Sequence, residues 1–256
     1  MKVAILAGGQ GTRLAEETEV RPKPMVEIGG VPILWHIMLH FARYSHTEFV
    51  VALGYKGDLI RKYFADYHSN RSNLRVDLSS GSVETHGADS PERWVVDLIE
   101  TGINTNTGGR IKRLEPFLGG DPFMLTWGDG VSDVDLDALL EFHRSHGKLA
   151  TVTAVHPPAR FGQLGLVGDR VAEVSDRPIL DAWINGAFFV LEPGIFEYIE
   201  DDSTQWEADP LERLAKDRQL VAYRHQGFWQ CMDTVRDKVL LEELWRSGRA
   251  PWKTWE

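Results

Sequence analysis

The sequence predicts an α/β fold on a mostly parallel sheet, and three observations predict it. Short apolar, β-like runs alternate with stretches of helical periodicity along the chain. Several of these runs are apolar throughout, as strands covered on both faces are, instead of alternating apolar with polar. A cluster of glycines follows the first run at once, at the carboxyl end of a strand, where sheets of this kind hold their ligands. Successive βα units of this type give parallel strands joined by right-handed crossovers.

The expected strands, in order, are Lys2–Ala7, Glu48–Leu53, Trp94–Glu100, Pro122–Trp127, Leu149–Ala154, Ile184–Leu191 and Leu220–Arg224. Helical patterns cover Ile33–Tyr44, Asp58–Tyr67, Gly109–Phe117, Asp135–Ser145, Pro210–Lys216 and Thr234–Ser247. In the first of these, Ile33, Ile37 and Phe41 recur on one side. Asp135 and Thr234 stand where side-chain N-caps belong. Arg75–Ser90 and Thr101–Gly109 are polar and irregular, and read as surface loops near a ligand.

Composition narrows the function classes. The formal net charge of −10 repels nucleic-acid backbones and anionic membranes, so neither is an expected partner. Any phosphate must be bound locally, by a few placed cations and backbone N–H groups. Cys231 is the single cysteine. It has no partner for an intramolecular disulfide, fits a reducing compartment and reads as a small buried hydrophobe. The apolar run Val3–Ala7 is too short for a signal-peptide core, and no run approaches the ~20 apolar residues that span a bilayer. The expectation is a soluble cytoplasmic protein.

The glycine turn reads LAGGQGTRL, Leu6 to Leu14. Gly8, Gly9 and Gly11 allow unusual backbone angles and close approach to a ligand. Successive N–H groups can then cradle phosphate oxygens. Arg13 adds a forked cation suited to phosphate. A dinucleotide fingerprint would need glycine where Leu14 stands, and no Walker lysine run is present. Ten residues past Arg13, Pro22 and Pro24 bracket Lys23 and stiffen its backbone into a pre-positioned charge.

The pair AGGQGTRL and RPKPM resembles the signature of sugar-1-phosphate nucleotidylyltransferases. The stretches MVEIGGVPILWHIM, GYKGD, TGGRIKRLEPF, WGDGVSDVDL, NGAFFVLEP, GFWQCMDTVRDK and WRSGRAPWKTWE resemble the glucose-1-phosphate cytidylyltransferases of that family over nearly the whole chain. The resemblance is weakest at Asp77–Arg93 and Arg177–Trp183. It implies a single Rossmann-like, three-layer α/β domain with a mixed, mostly parallel sheet, of the nucleotide-diphospho-sugar transferase type. About 1–145 would bind nucleotide, about 146–233 sugar phosphate, and about 234–256 would form a C-terminal helix and tail. It further implies a homo-oligomer that makes CDP-glucose and pyrophosphate from CTP and glucose 1-phosphate with Mg²⁺, serving polysaccharide biosynthesis.

The resemblance also assigns roles. Leu6, Ala7, Gly8, Gly9, Gln10, Gly11, Thr12 and Gly128 would hold the nucleotide, with Thr105 and Arg110 contacting it. Arg13 and Lys23 would meet the reacting phosphates. Asp129 and Asp233 would bind Mg²⁺, which takes one or two protein carboxylates and fills its shell with phosphates and water. Asn185 and Gly186 match the sugar-contacting pair. Where the family has Glu-Lys-Pro, this chain has Asp176, Arg177 and Pro178. Arg177 keeps the charge for the sugar phosphate, but its planar fork differs from an ammonium. Base choice rests on the resemblance alone, and the acceptor is the less determined substrate.

Other signals have plainer readings. His36/His40 and His143/His146 have metal-compatible spacing but lack a matching glutamate motif. Asp133-Val134-Asp135 resembles the D-x-D of nucleotide-sugar glycosyltransferases, a runner-up in which GGQGTR and PKP have no role. A nucleotide sensor without catalysis is the third class. Trp245, Trp252 and Trp255 near the C-terminus suit either a subunit interface or internal packing.

Overall fold

The computed structural model describes residues 1–87, 92–157, 163–167, 170–175 and 182–255. The first half supplies β1 (Val3–Leu6), α1 (Ala15–Thr18), β2 (Glu27–Ile28), β3 (Val31–Pro32), α2 (Ile33–Arg43), β4 (Glu48–Leu53), α3 (Gly57–Ala65), α4 (Tyr67–Arg71), β5 (Asn73–Asp77), β6 (Ser82–His86), β7 (Val95–Glu100), α5 (Thr107–Leu118) and β8 (Phe123–Trp127). The second half supplies β9 (Gly130–Ser132), α6 (Leu136–His146), β10 (Ala150–Val155), β11 (Gln163–Val167), β12 (Arg170–Ser175), β13 (Ile184–Leu191), α7 (Asp209–Lys216), β14 (Leu220–Arg224), β15 (Trp229–Cys231) and α8 (Val235–Arg246).

Seven strands form the central sheet in the order β14-β10-β13-β8-β1-β4-β7. β1 lies parallel to both β4 and β8, and β7 extends that parallel block at the edge. β10 and β14 form a second parallel pair. Between the blocks runs β13, antiparallel to β8 and to β10. The sheet is therefore mixed and mostly parallel, and the domain is a single α/β unit.

Burial explains why the central strands lack an alternating pattern. Val3 and Ile5 face one core with α2, while Ala4 and Leu6 face the other with α5, and all four are buried. Strands covered on both faces have no polar side to display. Asp135 caps α6 through Ala138 N–H at 2.9 Å, and Thr234 caps α8 in a reciprocal box with Asp237.

One region differs from the sequence reading, and a second settles between two readings left open. Arg75–Ser90 was expected to be an irregular loop beside a ligand, yet Asn73–Asp77 and Ser82–His86 pair as a hairpin. Every residue of both strands is exposed, so no inward face imposed an apolar pattern. The C-terminal tryptophans pack within the chain. Trp252 is 1% exposed and stacks on Phe228 and Trp245, while Trp255 lies against His36.

Candidate active site

The carboxyl ends of β1, β4, β7 and β8 meet around a cavity of about 520 Å³. Leu6, Ala7, Gly8, Gly9, Gln10, Gly11, Thr12, Arg13, Lys23, Thr105, Arg110, Gly128, Asp129 and Asp233, all singled out in the sequence, line this one cavity. Pro24, Ile103, Asn104, Asn106, Thr107 and Trp127 line it as well. Those between Ile103 and Thr107 come from the segment read as a loop near a ligand, which gave no individual signal.

The glycine turn works by space as much as by angle. Gly11 has φ +62°, which favours glycine. Gly8 does not, but a Cβ there would lie 2.2 Å from Nη1 of Arg110. The Arg110 guanidinium is sandwiched between Gly8 and Gly54. It donates to Leu53 O at 3.0 Å, Thr101 Oγ1 at 2.7 Å and Ile103 O at 3.3 Å. Burial lowers its pKa. Arg110 is also the fourth residue of α5 and not its first, and two carbonyls and a hydroxyl accept its hydrogen bonds.

Lys23 stands at the centre. The Pro22 φ of −67° and the short turn over Lys23–Met25 fix its backbone, and Lys23 itself is buried. Its Nζ donates to Oδ2 of Asp129 at 2.6 Å and to Oδ1 of Asp233 at 2.5 Å. Burial works against the Lys23 charge, but Asp129 and then Asp233 outweigh it and raise its pKa above the ordinary lysine value. Arg13, mostly exposed, holds Oδ2 of Asp233 at 2.9 Å.

A small ribbon brings the two carboxylates together. Asp129 follows β8 and leads into β9, which pairs with β15 in register Cys231↔Gly130. Met232 N–H donates to Asp129 O at 2.8 Å. Two oxygens within 2.6 Å of one nitrogen also lie within reach of one small ion. Among the described residues, no group of three or more His, Cys, Asp or Glu could hold a metal. Two carboxylates beside a cavity roomy enough for a nucleotide fit a hard divalent cation such as Mg²⁺, which leaves most of its shell to phosphate and water.

The remaining candidates divide. Asn185 and Gly186 lie in β13 and do not line the cavity; Asn185 Oδ1 accepts from Ala187 N–H at 2.8 Å, and Gly186 O accepts from Trp229 Nε1 at 2.6 Å. Arg177, with Asp176 and Pro178, lies outside the described residues. Cys231 is no nucleophile, because burial followed by the nearby Asp233 and Asp129 pushes its thiol up to about 12.

The D-x-D string is used structurally. Asp133 Oδ1 is 2.9 Å from Nε2 of His225 and accepts from Phe228 N–H at 2.7 Å, while Asp135 caps α6. The histidine pairs are engaged elsewhere: His36 with Ile28 O, His40 with Thr254, His143 with Thr151 and Glu192, and His146 with Thr151.

Comparison with known proteins fits this geometry. A nucleotidyl transferase family model matches residues 2–237. The chain belongs to the nucleotidyl transferase family. It is 50% identical to a glucose-1-phosphate cytidylyltransferase of Salmonella typhi, over the whole of both chains. It is 42% identical over full length to a probable glucose-1-phosphate cytidylyltransferase of Bacillus subtilis. A crystal structure of a putative glucose-1-phosphate thymidylyltransferase from Bacillus anthracis superposes with a TM-score of 0.71 at 18% identity, covering 100% of this chain and 97% of that one. That likeness concerns the fold. As a nucleotidyl transferase, the chain is an enzyme that transfers a nucleotidyl group from a nucleoside triphosphate to a sugar phosphate.

Proposed function

We propose that this enzyme transfers a cytidylyl group from CTP to α-D-glucose 1-phosphate with Mg²⁺, giving CDP-glucose and pyrophosphate. The observation that carries the reading is Lys23 joined to Asp129 and Asp233 on the wall of a glycine-lined cavity. The names of the curated relatives support the choice of base and acceptor.

The sugar phosphate attacks the α-phosphorus in line, and pyrophosphate leaves. The nucleophile is already an anion at neutral pH, so no general base is needed. Catalysis is positioning and charge neutralisation. The backbone of Leu6–Gly11 holds the nucleotide, with Thr105, Arg110 and Gly128 around it. Arg13 and Lys23 face the reacting phosphates as fixed cations. Asp129 and Asp233 would hold Mg²⁺, which would supply positive charge to offset repulsion between the two anions. By the resemblance, Arg177 would meet the sugar phosphate, and Asn185 and Gly186 would contact the sugar.

The enzyme works on small molecules in the cytoplasm. Among the described residues no helix is long and apolar enough to cross a membrane. A homo-oligomer is part of the reading, supported by exposed Leu74, Val76, Leu78 and Val83 on the β5–β6 hairpin. Light scattering at micromolar concentration should give a multiple of 28.9 kDa, and a monomer mass would count against it.

Pyrophosphate release tests the reaction, with CTP, UTP, dTTP and ATP crossed against glucose 1-phosphate and other phosphorylated acceptors. Turnover confined to CTP and glucose 1-phosphate is expected. Turnover with CTP and a different acceptor would assign Asp176-Arg177-Pro178 to another specificity and retain the nucleotide half.

A further inference from the structure

The turn between β15 and α8 carries more buried hydrogen bonding than a helix cap requires. Asp237, the third residue of α8, is 8% exposed. Its Oδ2 accepts from the backbone N–H of Thr234 at 2.9 Å and from the Thr234 hydroxyl at 2.9 Å. The same oxygen accepts from the backbone N–H of Asp233 at 3.1 Å. Its Oδ1 accepts from Nε2 of Gln230 at 3.2 Å, and Gln230 is 2% exposed.

A capping box needs only the bond from the third helical residue back to the N-cap N–H. The bond to Asp233 lies one residue further out, on the residue whose side chain meets Lys23 and Arg13. Gln230 pairs with Val131 in the ribbon, next to the Cys231↔Gly130 pair beside Asp129. A buried chain of contacts thus runs from the β9–β15 ribbon through Gln230 and Asp237 to the backbone of Asp233.

We propose that Asp237, buttressed by Gln230, is a positioning residue that fixes Asp233 as a divalent-cation ligand opposite Asp129. The inference rests on the metal reading of Asp233 given above. A ligand whose backbone is free must be ordered when the ion binds, which weakens binding; one already fixed avoids that loss. Partners behind a metal ligand typically change affinity by about 10- to 100-fold when removed.

Asp237 and Thr234 both belong to the capping box, but only Asp237 touches the N–H of Asp233. The test uses that difference. Mn²⁺ is titrated into the full chain saturated with CDP-glucose, free Mn²⁺ is followed by EPR, and melting curves are recorded in parallel. Asp237→Ala should weaken Mn²⁺ binding about tenfold or more, while Asp237→Asn, whose amide oxygen still accepts from Asp233 N–H, should stay within about threefold of wild type. Thr234→Ala should lower the melting temperature but leave Mn²⁺ affinity within about twofold.

Wild-type affinity in a folded Asp237→Ala variant would overturn the proposal. So would an equal loss in Thr234→Ala, which would reduce Asp237 to a helix cap. If Asp237→Ala does not fold, Gln230→Ala decides, since it leaves the capping box whole: binding weakened about threefold supports the proposal and unchanged binding overturns it. Asp233→Asn tests the underlying reading separately, because retained Mn²⁺ binding there would remove Asp233 as a ligand whatever Asp237 does.

Discussion

The segments Leu6–Lys23 and Trp229–Asp237 meet at the contacts of Lys23 and Arg13 with Asp233, and they reach that point by different means. The first is held by its backbone. Ala7 N–H bonds to Ala52 O, Tyr55 N–H to Gly8 O, Leu14 N–H to Gly11 O and Met25 N–H to Pro22 O. Glycine and proline are placed where those bonds need them. The second is held largely by side chains, with Gln230, Thr234 and Asp237 bonding to one another and to the main chain. A backbone-built loop depends on what its residues lack, whereas a side-chain-built turn depends on what its residues carry.

The largest test falls on Asp129, the second carboxylate that Lys23 holds beside Asp233. Asp129→Ala should lower kcat by at least ~10²-fold, the scale seen when a main charge-stabilising group is lost. A purified variant within threefold of wild type would refute the assignment. Gly8→Ala tests dependence on a missing side chain. The added methyl would collide with an Arg110 guanidinium already hemmed in by Gly54, and overpacking should cost about 1–3 kcal/mol in denaturant unfolding. Gly9→Ala meets nothing within 4 Å and should leave stability unchanged; equal losses at both positions would break the argument from space.

Acid should act from the ribbon side. His40 is buried on α2, which packs against β9, and burial lowers its pKa to about 4. The unfolded chain takes up a proton near the ordinary histidine value of ~6.5, which the folded chain refuses until pH ~4. Stability from this group is therefore full above pH ~6.5 and declines as pH falls toward 4, by roughly 2 kcal/mol at pH 4.5. In His40→Leu the loss of stability between pH 7 and 4.5 should be smaller by that amount. An identical slope would place the acid sensitivity elsewhere. A smaller loss is expected from Thr234→Ala, about 1 kcal/mol of stability from the lost cap, with kcat unchanged.

The same contrast explains what could be read from the sequence. Seven expected strands appear as the seven strands of the central sheet; β1, β4 and β8 at its centre show unbroken apolar runs because they are buried on both faces. Gly8, Gly11, Pro22 and Pro24 are legible because glycine and proline announce backbone geometry. Asp237 and Gln230 are not, since an aspartate early in a helix and a glutamine in a short strand look alike whether they hold a ligand or face water. The β5–β6 hairpin escaped for lack of an inward face, and the three-residue strands β9 and β15 are too short to show a period. Arg110 is singled out in the sequence as a nucleotide contact, but its sandwich between Gly8 and Gly54 is not legible there, because it joins positions whose meeting only the fold determines.

The Lys23 contacts have a consequence for what the cavity will accept. Lys23 and Arg13 carry two positive charges, and Asp129 and Asp233 carry two negative ones. At rest the cluster is electroneutral. A bare divalent cation entering it would leave a twofold positive excess, and separated charge in a partly dehydrated space is costly. A metal arriving together with a polyphosphate brings its own counter-charge, and the balance is kept. On the metal reading proposed above, charge balance would disfavour an uncomplexed ion and favour metal arriving together with nucleotide.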